Sequence, residues 1–308
     1  MYSASRFRWI ALAAAIFSVT SCGGDVLGPT PPQTAATSGA EIGMAVGTQY
    51  DSVHVYVQPG QLDAFVSSWL ATFGGSTKPA AVVTVTPTPS QTRSQLILSP
   101  VGTISAFEFV TAVPYPFGAE RTGWLMANLD AGVQQAREAG AAVVVAPFTD
   151  PIGRDAIVQF PGGVNAQLYW HTTPPSYPPL TTVPDNRIYL SADSVDKFLP
   201  SYLSFTRGKI ESDTTSADGA LIGKPGTTFR RVQLNSPFGN TQVLVTDGQL
   251  PYPYGRELAG YQVGDVAAVV AKATAAGARV VVPAAHVGNT TSAMLQWPGG
   301  YIAEIHND

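Results

Sequence analysis

Cysteine is almost absent, Cys22 being the sole one in 308 residues. No disulfide can close within the chain, so stability must come from the core. Charge is also scarce: 12% of residues are charged, and 17 Lys and Arg against 21 Asp and Glu give a formal net charge of −4. That mildly acidic balance supplies no basic patch of the kind nucleic-acid binding requires. The Gly-rich stretches lack the order of a phosphate loop, and no Ser-His-Asp set stands at a defensible spacing.

What the chain does have is a repeat. PYPFGAERTGW at 114–124 returns as PYPYGRELAGY at 251–261, and an offset of 137 positions extends the match without a gap. Ser99, Pro100 and Gly102 fall on Ser236, Pro237 and Gly239, and Gln159-Phe160-Pro161-Gly162-Gly163 falls on Gln296-Trp297-Pro298-Gly299-Gly300. An offset of domain size marks a duplicated module. Most matched residues are types that set the backbone or fill a core. The exception is a glutamate, Glu120 and Glu257, held at the same place in both copies.

The chain opens with Arg6 and Arg8, runs apolar from Trp9 to Val19, and reaches Val19-Thr20-Ser21-Cys22. This resembles a bacterial lipoprotein signal peptide with its lipobox, which implies removal of 1–21 and lipidation of Cys22. The apolar run is too short to span a bilayer as a mature helix. Cleavage takes two arginines and no acid, moving the charge from 17 − 21 = −4 to 15 − 21 = −6. Residues 22–48, rich in Gly, Pro, Thr and Ala without periodicity, predict a flexible tether. The expected location is the cell envelope, anchored by lipid. Gly23 after the lipidated cysteine favours the outer membrane in a Gram-negative cell.

The remaining residues suit two domains of about 130 each, over 49–175 and 183–308. Val53-His54-Val55-Tyr56-Val57 alternates as a strand, and 62–70 carries apolar residues at helical spacing before Gly74-Gly75. Three β-rich runs follow at 81–85, 95–98 and 104–110. After the PYPFG turn come a strand at 123–127, a helix at 130–139 and strands at 142–145, 156–160 and 166–170. The second copy predicts strands at 187–190, 228–234 and 241–245 around a helix at 195–205. Beyond its own turn lie a strand at 260–263, a helix at 266–276 and strands at 279–282, 293–297 and 302–306. The fold class is α+β, built from four βαβββ units.

With this pattern, the paired segments at 131–145 and 268–282, and a Pro-Gly-Gly turn before each final strand, the body from 51 to 308 resembles the vicinal oxygen chelate superfamily. That superfamily includes glyoxalase I, extradiol dioxygenases and fosfomycin-resistance enzymes. The resemblance implies two modules with cup-shaped mixed sheets. In each, a divalent metal held by the first and last strands of the units would act as Lewis acid on a chelating small molecule.

For the first cup the resemblance puts His54 and Gln167 in metal-ligand positions and Glu108 one strand repeat beyond the usual one; together they make a mixed set suited to a divalent transition ion such as Fe, Mn, Ni or Zn. Arg121 stands where a further ligand is expected. In the second cup Arg187 replaces His54 and Glu304 replaces Gln167, with His306 on the same face. A guanidinium paired to Glu304 would stand in for a cation, so no metal is expected there. Glu120 and Glu257 either fix their turns or act as general bases at the cup mouths. The implied partner is a small oxygen-bearing molecule, bound by a glyoxalase- or dioxygenase-like protein. The alternative is a metal-dependent lyase, isomerase or dioxygenase that uses the first cup.

Overall fold

In a computed structural model the described residues are 49–307, apart from 52, 119–120, 181–182 and 255–256. The expected leader, Cys22 and the tether lie outside them.

The first half runs β1 (Val53–Val57), α1 (Leu62–Phe73), β2 (Ser76–Thr77), β3 (Ala81–Thr84), β4 (Gln91–Ser99) and β5 (Gly102–Phe109). It continues through β6 (Arg121–Leu125), α2 (Leu129–Glu138), β7 (Ala142–Thr149), β8 (Gly153–Phe160) and β9 (Val164–His171). These strands form one sheet in the order β2-β4-β5-β1-β6-β9-β8-β7, with β3 also on β4. The second half gives β10 (Asp185–Leu190), α3 (Ala192–Thr206), β11 (Lys209–Asp218), β12 (Thr228–Ser236) and β13 (Gly239–Val245). It ends with β14 (Glu257–Gln262), α4 (Val266–Ala275), β15 (Arg279–Val287), β16 (Thr290–Gln296) and β17 (Ile302–His306). Their order is β11-β12-β13-β10-β14-β17-β16-β15, matching the first sheet position for position.

Each sheet is two βαβββ units joined through their opening strands. β1 runs parallel to β5 and antiparallel to β6, which is parallel to β9. β10, β13, β14 and β17 repeat that pattern. Side chains alternate across a strand. Val53, Val55 and Val57 therefore enter the core beneath the helices, while His54 and Tyr56 face the cup.

The helix-side cores join the halves crosswise. Trp69 and Phe65 of α1 pack with Tyr261, Trp297 and Tyr301, the two indole rings 4.9 Å apart. Val133 and Ala136 of α2 share a second core with Phe198, Tyr202 and Phe205 of α3. The helix starts are also duplicated. Asn128 caps α2 by accepting from Ala131 N at 3.1 Å, and Asp265 caps α4 by accepting from Ala268 N at 2.9 Å.

A candidate ligand site in the first cup

The floor of the first cup forms where the start of β1 meets β5, β6 and β9. The Asp51 carboxylate accepts from Ser105 Oγ and, at 3.3 Å, from Val53 N. His54 Nε2 lies 3.7 Å from Asp51 Oδ2, and Asp51 N donates to Tyr169 Oη at 3.2 Å. Burial pushes the Asp51 carboxyl up to about 7, against the lowering effect of its bonds to Ser105 and Val53. Tyr169 is held protonated by burial and by Asp51 beside it. Elsewhere on the floor Gln167 Nε2 donates to Asp155 Oδ1 at 3.1 Å.

Aromatic rings rise from this floor. Phe107 meets His54 edge-on at 5.2 Å and stacks on Tyr56 at 5.3 Å, and Tyr56 stacks in turn on Phe109 at 5.7 Å. Phe117, Phe148, Val145 and Ile157 extend the apolar lining. A polar floor under apolar walls is the usual composition of a small-molecule site.

Glu108 is not part of it. It shares the face of Ile104 and Ala106, turned to the helices, and accepts from Gly60 N at 2.6 Å and Leu62 N at 3.1 Å. Gln61, at the N-cap of α1, makes no side-chain cap bond. Glu108 supplies the missing acceptor at the positive end of the helix. The expectation of Glu108 as a cup ligand is thereby corrected: strand alternation puts it on the helix side of the pleat.

His54 and Gln167 do face the cup, but Gln167 is engaged with Asp155. Among the described residues no three of His, Cys, Asp and Glu converge as a metal-binding group. The donor set His54, Glu108 and Gln167 does not fit a divalent cation. Arg121 pairs through its backbone with His54; its side chain and Glu120 lie outside what is described. The reading of Glu257 as a general base at the cup mouth is corrected as well. It lies opposite Ile188 on the helix side of β14, 4% exposed, and accepts from Asn186 Nδ2 at 2.9 Å. A base at the cup mouth would need the other face.

The second cup has different contents. Arg187, 1% exposed, donates from Nε to Glu304 and from Nη1 to Asp185 at 3.1 Å. His306 Nε2 lies 3.7 Å from the same Asp185 carboxylate. Above them Leu221 and Ile222, from a 3-10 turn at Gly219–Ile222, pack with Tyr189, Phe229, Tyr252, Val282 and Met294. The cavity left among Tyr189, Ile222, Arg231, Gln242 and Met294 is about 10 Å3, at the lower limit for one water. Tyr189 is 1% exposed, whereas Tyr56, at the same place in the first cup, is half-buried.

Asp51, Ser105 and Asp155 are floor residues that sequence reasoning missed. Asp51 precedes the alternating run and reads as a strand-end residue, and Ser105 sits inside an apolar strand. Only the parallel pairing of β1 with β5, which sets His54 against Ser105, brings them together.

No protein-family model matches the chain, and no curated protein sequence matches it. Solved structures do. A variant of 4-hydroxymandelate synthase from Streptomyces coelicolor superposes with a TM-score of 0.55 at 14% identity, covering 85% of this chain and 92% of that one. The 2,2',3-trihydroxybiphenyl 1,2-dioxygenase of Sphingomonas wittichii gives 0.54 at 13% identity, covering 85% and 90%. The Mn(II)-bound glyoxalase of Novosphingobium aromaticivorans gives 0.52 at 13% identity, covering 86% and 83%. Such identities speak for the fold and not for a reaction. With its two curled mixed sheets of paired βαβββ units, the chain has the fold of the vicinal oxygen chelate superfamily.

Proposed function

We propose that this is an envelope-anchored, glyoxalase- or dioxygenase-like protein whose first cup binds a small oxygen-bearing molecule and whose second cup is a closed, metal-free structural module. The observation that carries the reading is the contrast between equivalent positions. Tyr56 stands half-buried on a polar floor, while Tyr189 is sealed at 1% exposure beneath Leu221 and Ile222. A filled cup has no room for a ligand of several heavy atoms, since such sites span about 300–1,000 Å3. Arg187 supports a metal-free second cup because its positive charge already lies among the acidic side chains there.

The anchoring part of the proposal rests on the sequence around Cys22 and on the tether to residue 48. Radiolabelled palmitate should enter the native chain in a bacterial host and not the Cys22→Ser variant; equal labelling would remove the anchor. The binding part is tested by ligand-observed NMR with the purified full chain and a panel of small ketones, alcohols and phenols. Compounds that contact the protein should lose contact in Phe107→Ala. Binding that persists in that variant places the ligand elsewhere.

A further inference from the structure

We propose that Asp51, with Ser105 and His54 beside it, forms a subsite for one neutral oxygen, a carbonyl or hydroxyl. The apolar body of the same ligand would lie against Tyr56, Phe107 and Phe109. This deepens the first-cup reading above and rests on it.

Three observations converge. First, Asp51 and His54 at the start of β1 meet Ser105 of β5 on the cup face, with Asp51 bonded to Ser105 and 3.7 Å from His54. The bonds from Ser105 and Val53 leave each carboxyl oxygen a further lone pair, and a protonated carboxyl also donates. Second, Asp51 and His54 keep 15% and 13% of their side chains exposed. A ligand atom can therefore reach them; Asp185 and Glu304 keep similar exposure in the second cup, but Arg187 already pairs with both. Third, the floor holds a second acid, Asp155, bonded to Gln167. The Asp155 carboxylate opposes an anionic ligand on the same floor.

The chemistry that follows is recognition of one oxygen by hydrogen bonds. Chelation of two oxygens on a cation needs a donor set that the described residues of this floor lack. The stacked Tyr56, Phe107 and Phe109 rings offer a flat apolar wall to the remainder of the ligand.

The test is calorimetric titration of the purified full chain at pH 6 with acetophenone, 1-phenylethanol and benzoate. Acetophenone and 1-phenylethanol should bind, and benzoate at least about tenfold more weakly. Asp51→Asn, which keeps a neutral donor and acceptor, should stay within about threefold of the native chain, while Asp51→Ala should lose about tenfold. Phe107→Ala, or Tyr56→Leu if the first variant fails to fold, should weaken both neutral probes.

Loss in the wall variant with no change in Asp51→Ala would overturn the subsite and leave the first-cup reading standing. No change in either variant, or no binding of any probe, would overturn that reading and the subsite with it. Benzoate binding as tightly as acetophenone would overturn the assignment to neutral oxygens.

Discussion

The guanidinium of Arg187 lies directly over the α-carbon of Gly260: a β-carbon built there would come within 2.6 Å of Arg187 Cζ and 2.7 Å of Nη2. Gly260 sits opposite Asp185 on one side and Glu304 on the other. It is where a side chain would have to stand to enter the second cup. Its absence leaves room for the arginine that ties both acids together.

Gly260→Ala should therefore destabilise the protein, because the guanidinium is packed under a core and cannot swing clear. Overpacking of this kind costs about 1–3 kcal/mol. Gly264→Ala is the control, since nothing lies within 4 Å of its β-carbon position. Denaturant unfolding of the two variants side by side should show a lowered midpoint for the first only.

Removing Arg187 should be more severe. Arg187→Met leaves Glu304 and Asp185, which are 13% and 14% exposed, without their shared cation. Breaking one partner of a buried pair costs about 3–5 kcal/mol. Adding Glu304→Leu should recover part of the loss. A double-mutant cycle with a coupling energy indistinguishable from zero would remove the pair from the account.

Glu108 makes a claim about a helix. Glu108→Ala strips the acceptor from Gly60 N and Leu62 N at the start of α1 and should cost about 1–2 kcal/mol. It should leave binding of neutral probes unchanged. A large change in probe affinity with native stability would return Glu108 to the cup.

Asp51 gives the stability a pH dependence of predictable sign. Its carboxyl is raised from 3.8 to about 7 by burial, so between those values the folded state holds a proton that the unfolded state has released. Stability from this group is greatest in acid, declines as pH rises from about 4 to 7, and is flat above. The amplitude is on the order of a few kcal/mol. His171 acts in the opposite sense, since burial lowers its pKa and acidification below its usual range costs stability. Comparing the native chain with Asp51→Asn at pH 5 and pH 8 cancels the histidine. The variant should gain relative stability at pH 8, and an unchanged difference would contradict the buried carboxyl.

The repeat and the alternation of Val53 to Val57 made much of this fold legible, because both depend on strong local patterns. β11 was missed. Its run Lys209–Asp218 is polar and mostly exposed at a sheet edge, so no apolar period marks it; its pairing with β12 defines it instead. The site was less legible than the fold. Glu304 falls on Gln167 at the 137-residue offset, whereas Arg187 answers His54 through the strand pairing with Leu258 and Arg121. Glu108 and Glu257 depend on which side of a pleat a residue takes near a strand end, and a one-residue difference there reverses the answer. Asp51 and Ser105 are 54 positions apart and become neighbours only through parallel pairing, which leaves no trace in local sequence.

The most direct test of the central claim is the metal content of the full chain, purified without chelator or immobilised metal, beside His54→Ala. A first cup whose described residues hold no chelating donor set predicts no stoichiometric transition metal in either sample and no uptake of added manganese, iron, nickel or zinc that depends on His54. About one ion per chain in the native protein, lost in His54→Ala, would contradict it.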